Sequence, residues 1–217
     1  MRVACLGGTA VLLPSMLAGC SDDDGGGGGI TDPPSNALII DLNTDVGVLN
    51  YAYALEQLEA AFYSQVVQGF ASSGLSAAEQ TVLSDIRNHE VIHRDFLAQV
   101  LVGARIPDLA FDFSSVDFSD RVSILRTAKA FEDVGVSAYN GAGRLLKDLN
   151  NLAVAGKIVS VEARHAAAIR DLLRPGSRDF AGDDVIDPAS GLDIANEPGQ
   201  VFEGTDVFVT TTIRLVT

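Results

Sequence analysis

The 217-residue chain has no tryptophan, two cysteines, three histidines, and 15 basic against 29 acidic residues. Two cysteines are too few for a disulfide scaffold or a cysteine-rich zinc site. The net charge of -14 argues against a nucleic-acid-binding protein, which needs a basic face to neutralise phosphates, and against adsorption to anionic lipid. After the first twenty positions no run reaches the roughly 18 apolar residues of a membrane span, so the body is not expected to cross a membrane.

The beginning of the chain has the pattern of an export signal. Arg2 precedes a mostly apolar segment, residues 3–17, which is short for a membrane span and typical of a signal peptide. The segment ends in Leu17-Ala18-Gly19-Cys20, which resembles the lipobox of bacterial lipoproteins, in which the cysteine is lipidated and becomes the first residue. The alternative is an ordinary secretory signal in which Cys20 is incidental. We predict a signal peptide over residues 1–19 and an extracytoplasmic protein, on the periplasmic or cell-surface side, anchored to a bacterial membrane by lipid at Cys20.

Three further segments follow the predicted signal peptide. Residues 20–37 are rich in aspartate and glycine, which predicts a flexible tether. Residues 38–175 contain the long periodic apolar patterns and predict the folded domain. Residues 176–217 are rich in aspartate, glycine and proline and end in a β-prone run, so they predict an irregular extension. This extension either lies across the domain or pairs with a second subunit in a homodimer.

The folded domain is predicted to be all-α. Apolar residues at helical spacing predict four helices, over residues 44–70, 76–102, 117–147 and 151–173. Short links make the first two and the last two helices antiparallel hairpins. The link over residues 103–116 is longer, and at roughly 3.3 Å per residue it can run the length of the bundle. The expected architecture is a four-helix bundle with one long crossover.

Glutamate interrupts the apolar face of every predicted helix near its midpoint. In the second and fourth helices the interruption is Glu-x-x-His, although the chain has only three histidines. Midpoints lie at one level whichever way a helix runs, so these side chains are expected to share one layer. The predicted inward positions, helix by helix, are Leu49, Ala52, Glu56, Glu59, Tyr63 and Val66; Leu83, Ile86, Glu90, His93, Leu97 and Val100; Leu125, Ala128, Glu132, Gly135, Tyr139 and Ala142; Ile158, Glu162, His165, Ile169 and Leu172.

Several carboxylates in an apolar interior repel one another and lose hydration. They can stay protonated with raised pKa values, or cations can neutralise them. Four glutamates and two histidines suit two divalent first-row metals in number and hardness. A glutamate from each of two helices plus Glu-x-x-His from each of the others is the di-iron and di-manganese carboxylate pattern.

At these residues the chain resembles the ferritin-like superfamily, and within it a group related to plant desiccation-related proteins. The resemblance covers about residues 44–175. It rests on the segments around Leu55-Glu56-Gln57-Leu58-Glu59, Asn88-His89-Glu90-Val91-Ile92-His93, Glu132-Asp133-Val134-Gly135 and Val161-Glu162-Ala163-Arg164-His165. It implies two metals, iron first and manganese second. One metal would have Glu56 and His93 as terminal ligands, the other Glu132 and His165, and Glu90 and Glu162 would bridge.

Some polar residues near this layer have more than one interpretation. Glu59 is an additional candidate ligand, a gate to the site, or a hydrogen-bond partner. Tyr63 and Tyr139 each lie seven residues after a glutamate, Glu56 and Glu132, and are expected to hydrogen-bond ligand carboxylates. His89 lies one position off the inward face and is expected at the rim or surface. Arg164 either pairs with an acid behind the ligands or is solvated.

The resulting functional hypothesis is a tethered protein whose two-metal site reacts with oxygen or peroxide in envelope stress protection. An oxidoreductase of the ferroxidase or the peroxidase and catalase type is one form of this hypothesis. The rival is a structural, desiccation-stress protein in which the site is vestigial and the six polar residues form a neutral hydrogen-bond network.

Overall fold

The computed structural model describes residues 37–217. It confirms an all-α bundle and adds two short strands at its ends. The elements are β1 (Leu38–Asp41), α1 (Asp45–Gln68), α2 (Ala77–Leu101), α3 (Arg121–Gly143), α4 (Leu149–Leu173), α5 (Pro198–Thr205) and β2 (Ile213–Val216). The predicted signal peptide, the predicted lipidation site at Cys20 and nearly all of the predicted tether lie outside the described residues. Within those residues, no helix combines the length and apolarity that crossing a membrane requires.

Side-chain caps set where the four long helices begin. Thr44 caps α1 by accepting from the backbone N–H of Gly47, and Ser76 and Glu79 form a capping box at the start of α2. The Asp120 carboxylate accepts from the first backbone N–H groups of α3, and the Asp148 carboxylate does the same at α4. These two caps explain why α3 begins four residues later than the periodicity predicts and α4 two residues earlier, since a capping aspartate lies just outside the helix.

The four helices form two hairpins, α1 with α2 and α3 with α4, as predicted. A long crossover, residues 102–120, joins them and is held against α1 by polar side chains. Asn50 donates to the carbonyl of Ala104 and accepts from the backbone N–H of Ile106. Gln57 accepts from the backbone N–H of Leu109. The crossover therefore satisfies its buried backbone groups with α1 side chains, and α1 is covered on almost every face.

The interior consists of two apolar clusters with a polar layer between them. One cluster includes Leu55 on α1 and Leu97 on α2, and the other includes Leu58 on α1 and Ile86 on α2. On α1, Glu56 lies between Leu55 and Leu58, and on α2, Glu90 and His93 lie between Ile86 and Leu97. The prediction that Val100 faces inward is wrong: its side chain is 45% exposed, because the neighbouring Leu101, 5% exposed, takes the buried position in the last turn of α2.

The extension after α4 folds back onto the bundle instead of remaining irregular throughout. Its α5 helix contacts α3, and Asn196 donates from its backbone N–H to the carbonyl of Ser137. Gly141 permits this approach, because a Cβ there would lie 1.8 Å from the Asn196 carbonyl oxygen. The final strand, β2, pairs in parallel with β1 of the same chain. The β-prone run therefore finds its partner within the same chain.

Val102, which follows α2, has a strained backbone. Its φ is +43°, and it is the one non-glycine residue with positive φ in the described part of the chain. We expect Val102→Gly to raise the free energy of unfolding by about 1 kcal/mol, because glycine adopts this conformation without a steric cost. The exposed Val100, in the helical last turn, is the control: Val100→Gly should lower that free energy by about 1 kcal/mol. Chemical denaturation measures both, and effects of the same sign would contradict the assignment of strain.

Candidate metal centre

Each long helix supplies part of the polar layer. α1 contributes Glu56 and α3 contributes Glu132, whereas α2 and α4 each contribute a Glu-x-x-His pair. Residues three apart on a helix point to the same side, so both members of each pair face the bundle axis. All four of these glutamate side chains have 0% exposure. The structure therefore brings all six sequence-predicted residues to one place: Glu56, Glu90, His93, Glu132, Glu162 and His165.

The six side chains form two overlapping groups. Within each group, one donor atom from every residue lies within 4.8 Å of the others. The first group is Glu56, Glu90, His93 and Glu162; the second is Glu90, Glu132, Glu162 and His165. Glu90 and Glu162 belong to both groups, so each offers one oxygen to either side. Each group also has one histidine and one glutamate of its own, which is the ligand arrangement that the resemblance implies.

The donor atoms converge without satisfying one another. His93 Nδ1 lies 2.9 Å from a Glu162 oxygen, and His165 Nδ1 lies 2.8 Å from a Glu90 oxygen. Despite these short distances, the atoms are not oriented to form hydrogen bonds with one another. Both Nδ1 atoms, both oxygens of Glu90 and both oxygens of Glu162 lack a hydrogen-bond partner within the described residues. Buried polar atoms are rarely left in this state. Oxygen and imidazole donors that face a common centre fit two divalent metal ions, whose charge would balance that of four carboxylates.

Two tyrosines hold the outer glutamates in a reciprocal arrangement. Tyr63 on α1 donates its hydroxyl hydrogen to Glu132 on α3, at 2.5 Å. Tyr139 on α3 donates to Glu56 on α1, also at 2.5 Å. Each outer carboxylate thus has one oxygen fixed by a tyrosine, and its other oxygen faces the cluster without a hydrogen-bond partner in residues 37–217. These two reciprocal hydrogen bonds relate the two hairpins by an approximate twofold axis.

A family model described as a ferritin-like domain matches residues 44–175. The chain belongs to this family. The match begins at the residue that caps α1 and ends just after α4, so it covers the four helices that carry the six residues. A search of curated proteins found no match to the chain.

Burial and neighbouring charges shift the pKa values of several groups in this ferritin-like domain's cluster. Burial raises the pKa of Glu132 to about 8 and that of Glu56 well above its usual range. Burial would lower the pKa of His93 and His165, but the surrounding glutamates raise both to about 12. Burial would also raise the pKa of Glu90, but the two imidazoles lower it to about 2. Protons on imidazole and carboxyl groups thus occupy the place that cations would take.

Glu59 is a fifth buried carboxylate of the ferritin-like domain. It lies one turn after Glu56 on α1 and outside both groups of convergent donors. Its carboxylate packs over Gly135 of α3, where a Cβ would lie 2.9 Å from a Glu59 oxygen. Burial, followed by repulsion from Glu162 and Glu90, raises its pKa well above the usual range. Gly135 therefore provides the space that allows this carboxylate to lie beside the centre.

The contacts of His89 and Arg170 depend on tertiary structure that helical periodicity does not describe. His89 is exposed as expected, yet its ring reaches His165 across the α2–α4 interface. Arg164 is exposed and donates to the carbonyl of Ser160 in its own helix. The arginine that pairs with an acid behind the ligands is instead Arg170, which is bonded to Asp133, the neighbour of Glu132.

Proposed function

We propose that this protein is a membrane-tethered, extracytoplasmic ferritin-like protein whose two-metal carboxylate centre reacts with oxygen or peroxide in envelope stress protection. One observation supports this proposal best: eight buried oxygen and nitrogen atoms that could bind metal, spread over six residues, lack hydrogen-bond partners within residues 37–217. They face one another in two groups that share Glu90 and Glu162. Iron is the first candidate metal and manganese the second, because both suit a set of carboxylate and imidazole ligands without thiolates.

Bound iron or manganese would supply one-electron redox chemistry at the centre of the bundle. The chain's own residues would bind the ions and orient the ligand side chains. Glu90 and Glu162 are positioned to hold both ions at once, while Glu56 with His93 and Glu132 with His165 would each complete one side. Tyr63 and Tyr139 keep the outer carboxylates in place by donating to them. The apolar clusters on both sides of the layer exclude water, which strengthens every electrostatic interaction within it.

A metal-loading experiment followed by a redox assay tests the proposal. The domain from residue 37 onward is loaded with ferrous iron or Mn²⁺ without oxygen, desalted and analysed by elemental mass spectrometry. We expect about two ions per chain. Addition of oxygen or hydrogen peroxide to the loaded protein should then consume the oxidant, and the metal-free protein should not.

The outcomes distinguish this proposal from the structural alternative. A domain that binds two ions but consumes neither oxidant would contradict the redox role and still support the metal centre. A folded domain that stays empty favours the structural stress protein, with the six residues as a protonated polar network. The raised pKa values of Glu56 and Glu132 and the hydrogen bonds that both accept from tyrosines are compatible with that alternative.

The proposed anchor has its own test in a bacterial host. We expect Cys20→Ala to move the full-length protein from the membrane fraction to the soluble fraction, because the lipid attachment point is lost. Cys5→Ala is the matched control, since Cys5 lies within the predicted signal peptide and its replacement should leave the protein in the membrane fraction. Fractionation and immunoblotting measure the distribution. Membrane attachment of the Cys20 variant would contradict the lipoprotein interpretation.

A further inference from the structure

His89, on the exposed side of α2, contacts the buried His165 of α4. Nδ1 of His89 lies 2.9 Å from Nε2 of His165, and the two rings stack with centroids 5.1 Å apart and planes 8° apart. His165 is only 5% exposed. One histidine at the surface therefore contacts the outer edge of a histidine in the candidate metal centre.

The two ring nitrogens of His165 face different partners. Nδ1 faces the carboxylates and lies 2.8 Å from a Glu90 oxygen, while Nε2 meets His89. If the Nε2 hydrogen of His165 is donated to His89 Nδ1, then Nδ1 of His165 is the atom left to bind metal. A hydrogen bond at the outer nitrogen fixes both the tautomer and the ring orientation of a metal-binding histidine.

The other histidine of the centre has no such support. The approximate twofold relates His93 to His165 and Glu90 to Glu162, so the position matching His89 is Val161. Valine has no hydrogen-bonding side chain. No hydrogen bond to Nε2 of His93 occurs within residues 37–217, and the His93 side chain is 13% exposed. The two halves of the centre therefore differ at one position, although their candidate ligands are the same.

We propose that His89 is a positioning residue that orients His165 and makes the His165 side of the centre the tighter of the two metal sites. This inference rests on the proposed metal centre. It predicts that the two sites fill in sequence, with the site of Glu90, Glu132, Glu162 and His165 first. His89 contacts no other candidate ligand at hydrogen-bond distance in the described structure, so its effect should be confined to that side.

The test measures Mn²⁺ affinity in two single-site backgrounds of the domain from residue 37 onward. His93→Ala leaves the His165 site, and His165→Ala leaves the His93 site. In the first background, His89→Val should weaken Mn²⁺ binding by about 10- to 100-fold, the usual effect of losing a partner behind a metal ligand. In the second background the same change should have no effect. Electron paramagnetic resonance of free Mn²⁺ gives both affinities, and circular dichroism confirms that each variant is folded.

Two further variants separate positioning from packing. His89→Asn places an oxygen where Nδ1 stood, so it should restore most of the affinity that His89→Val loses. Val161→Ala, at the matching position of α4, should leave the His165 site unchanged. Equal losses in both single-site backgrounds, no loss in the His93→Ala background, or no rescue by asparagine would each overturn the inference. Failure of the parent domain to bind Mn²⁺ would instead overturn the proposed metal centre itself, and the inference with it.

Discussion

Replacing Glu90 and Glu162 together by alanine is expected to reduce the metal content of the domain from about two ions per chain to none. These two residues are the only ones shared by both groups of donors in the described structure. Their loss leaves each side with one glutamate and one histidine, too few to hold a divalent ion in competition with water. Elemental mass spectrometry after anaerobic loading measures the result.

The same double variant should remain a folded bundle. Glu90 and Glu162 are fully buried, and after their removal Glu56 still lies 3.5 Å from His93 and Glu132 still lies 3.5 Å from His165, so neither imidazole is left without a carboxylate partner. Two glutamates and two histidines remain, which can balance each other's charge. We expect the metal-free variant to unfold at a urea concentration no lower than the metal-free parent. A variant that cannot fold would contradict the view that apolar clusters, and not the polar layer, stabilise the bundle.

A matched control uses the two exposed glutamates of the C-terminal extension. The double change Glu197→Ala and Glu203→Ala also removes two carboxylates, but from the protein surface. This variant should keep both metal ions. Unchanged metal content in the Glu90 and Glu162 variant, or an equal loss in the control, would show that these buried carboxylates are not the ligands.

Arg170→Ala is expected to lower the free energy of unfolding by about 1.5–3 kcal/mol, the usual contribution of hydrogen bonds to charged groups. The Arg170 side chain is 2% exposed and donates to both oxygens of Asp133 on α3 and of Asp184 in the extension. It also donates to the carbonyl of Asp179. One guanidinium thus joins α3, α4 and the extension, and after its removal Lys129 is the remaining partner of Asp133 and Asp184.

The exposed arginine one turn further along provides the control. Arg174 is 70% exposed and pairs with Asp179 at the surface, so Arg174→Ala should change the free energy of unfolding by no more than about 0.5 kcal/mol. Urea denaturation of the metal-free proteins compares the two changes. Similar effects at both positions would mean that the extension is not held to the bundle through Arg170.

The four helices and the six clustered side chains can be predicted from the sequence because both depend on local rules. An apolar stripe at a period near 3.6 residues shows which face is inward, and a glutamate within that stripe is conspicuous because it opposes burial. Capping residues such as Ser76 mark helix ends. The helix midpoints predict that Glu56, Glu90, Glu132 and Glu162 share a layer, and the resemblance implies which of them are terminal ligands and which bridge.

The remaining contacts depend on how distant segments meet. The position of His89 on α2 alone predicts a surface residue, and its contact exists only because α4 brings His165 beside it. Arg170 was not distinguished from other helical arginines, since its partners lie on α3 and in the extension. The pairing of β1 with β2 joins the two ends of the described chain, which no local pattern predicts.

That strand pairing has a consequence for the order in which the chain folds. β1 is the first described element to be synthesised and β2 the last. Two strands of four residues gain too little from pairing to close so long a loop in an unfolded chain, so they can pair only after the helices have brought their ends together. We therefore expect this two-stranded ladder to form late in folding. A product that stops before residue 213 would present the unpaired edge of β1 beside a finished bundle, where another chain could add to it.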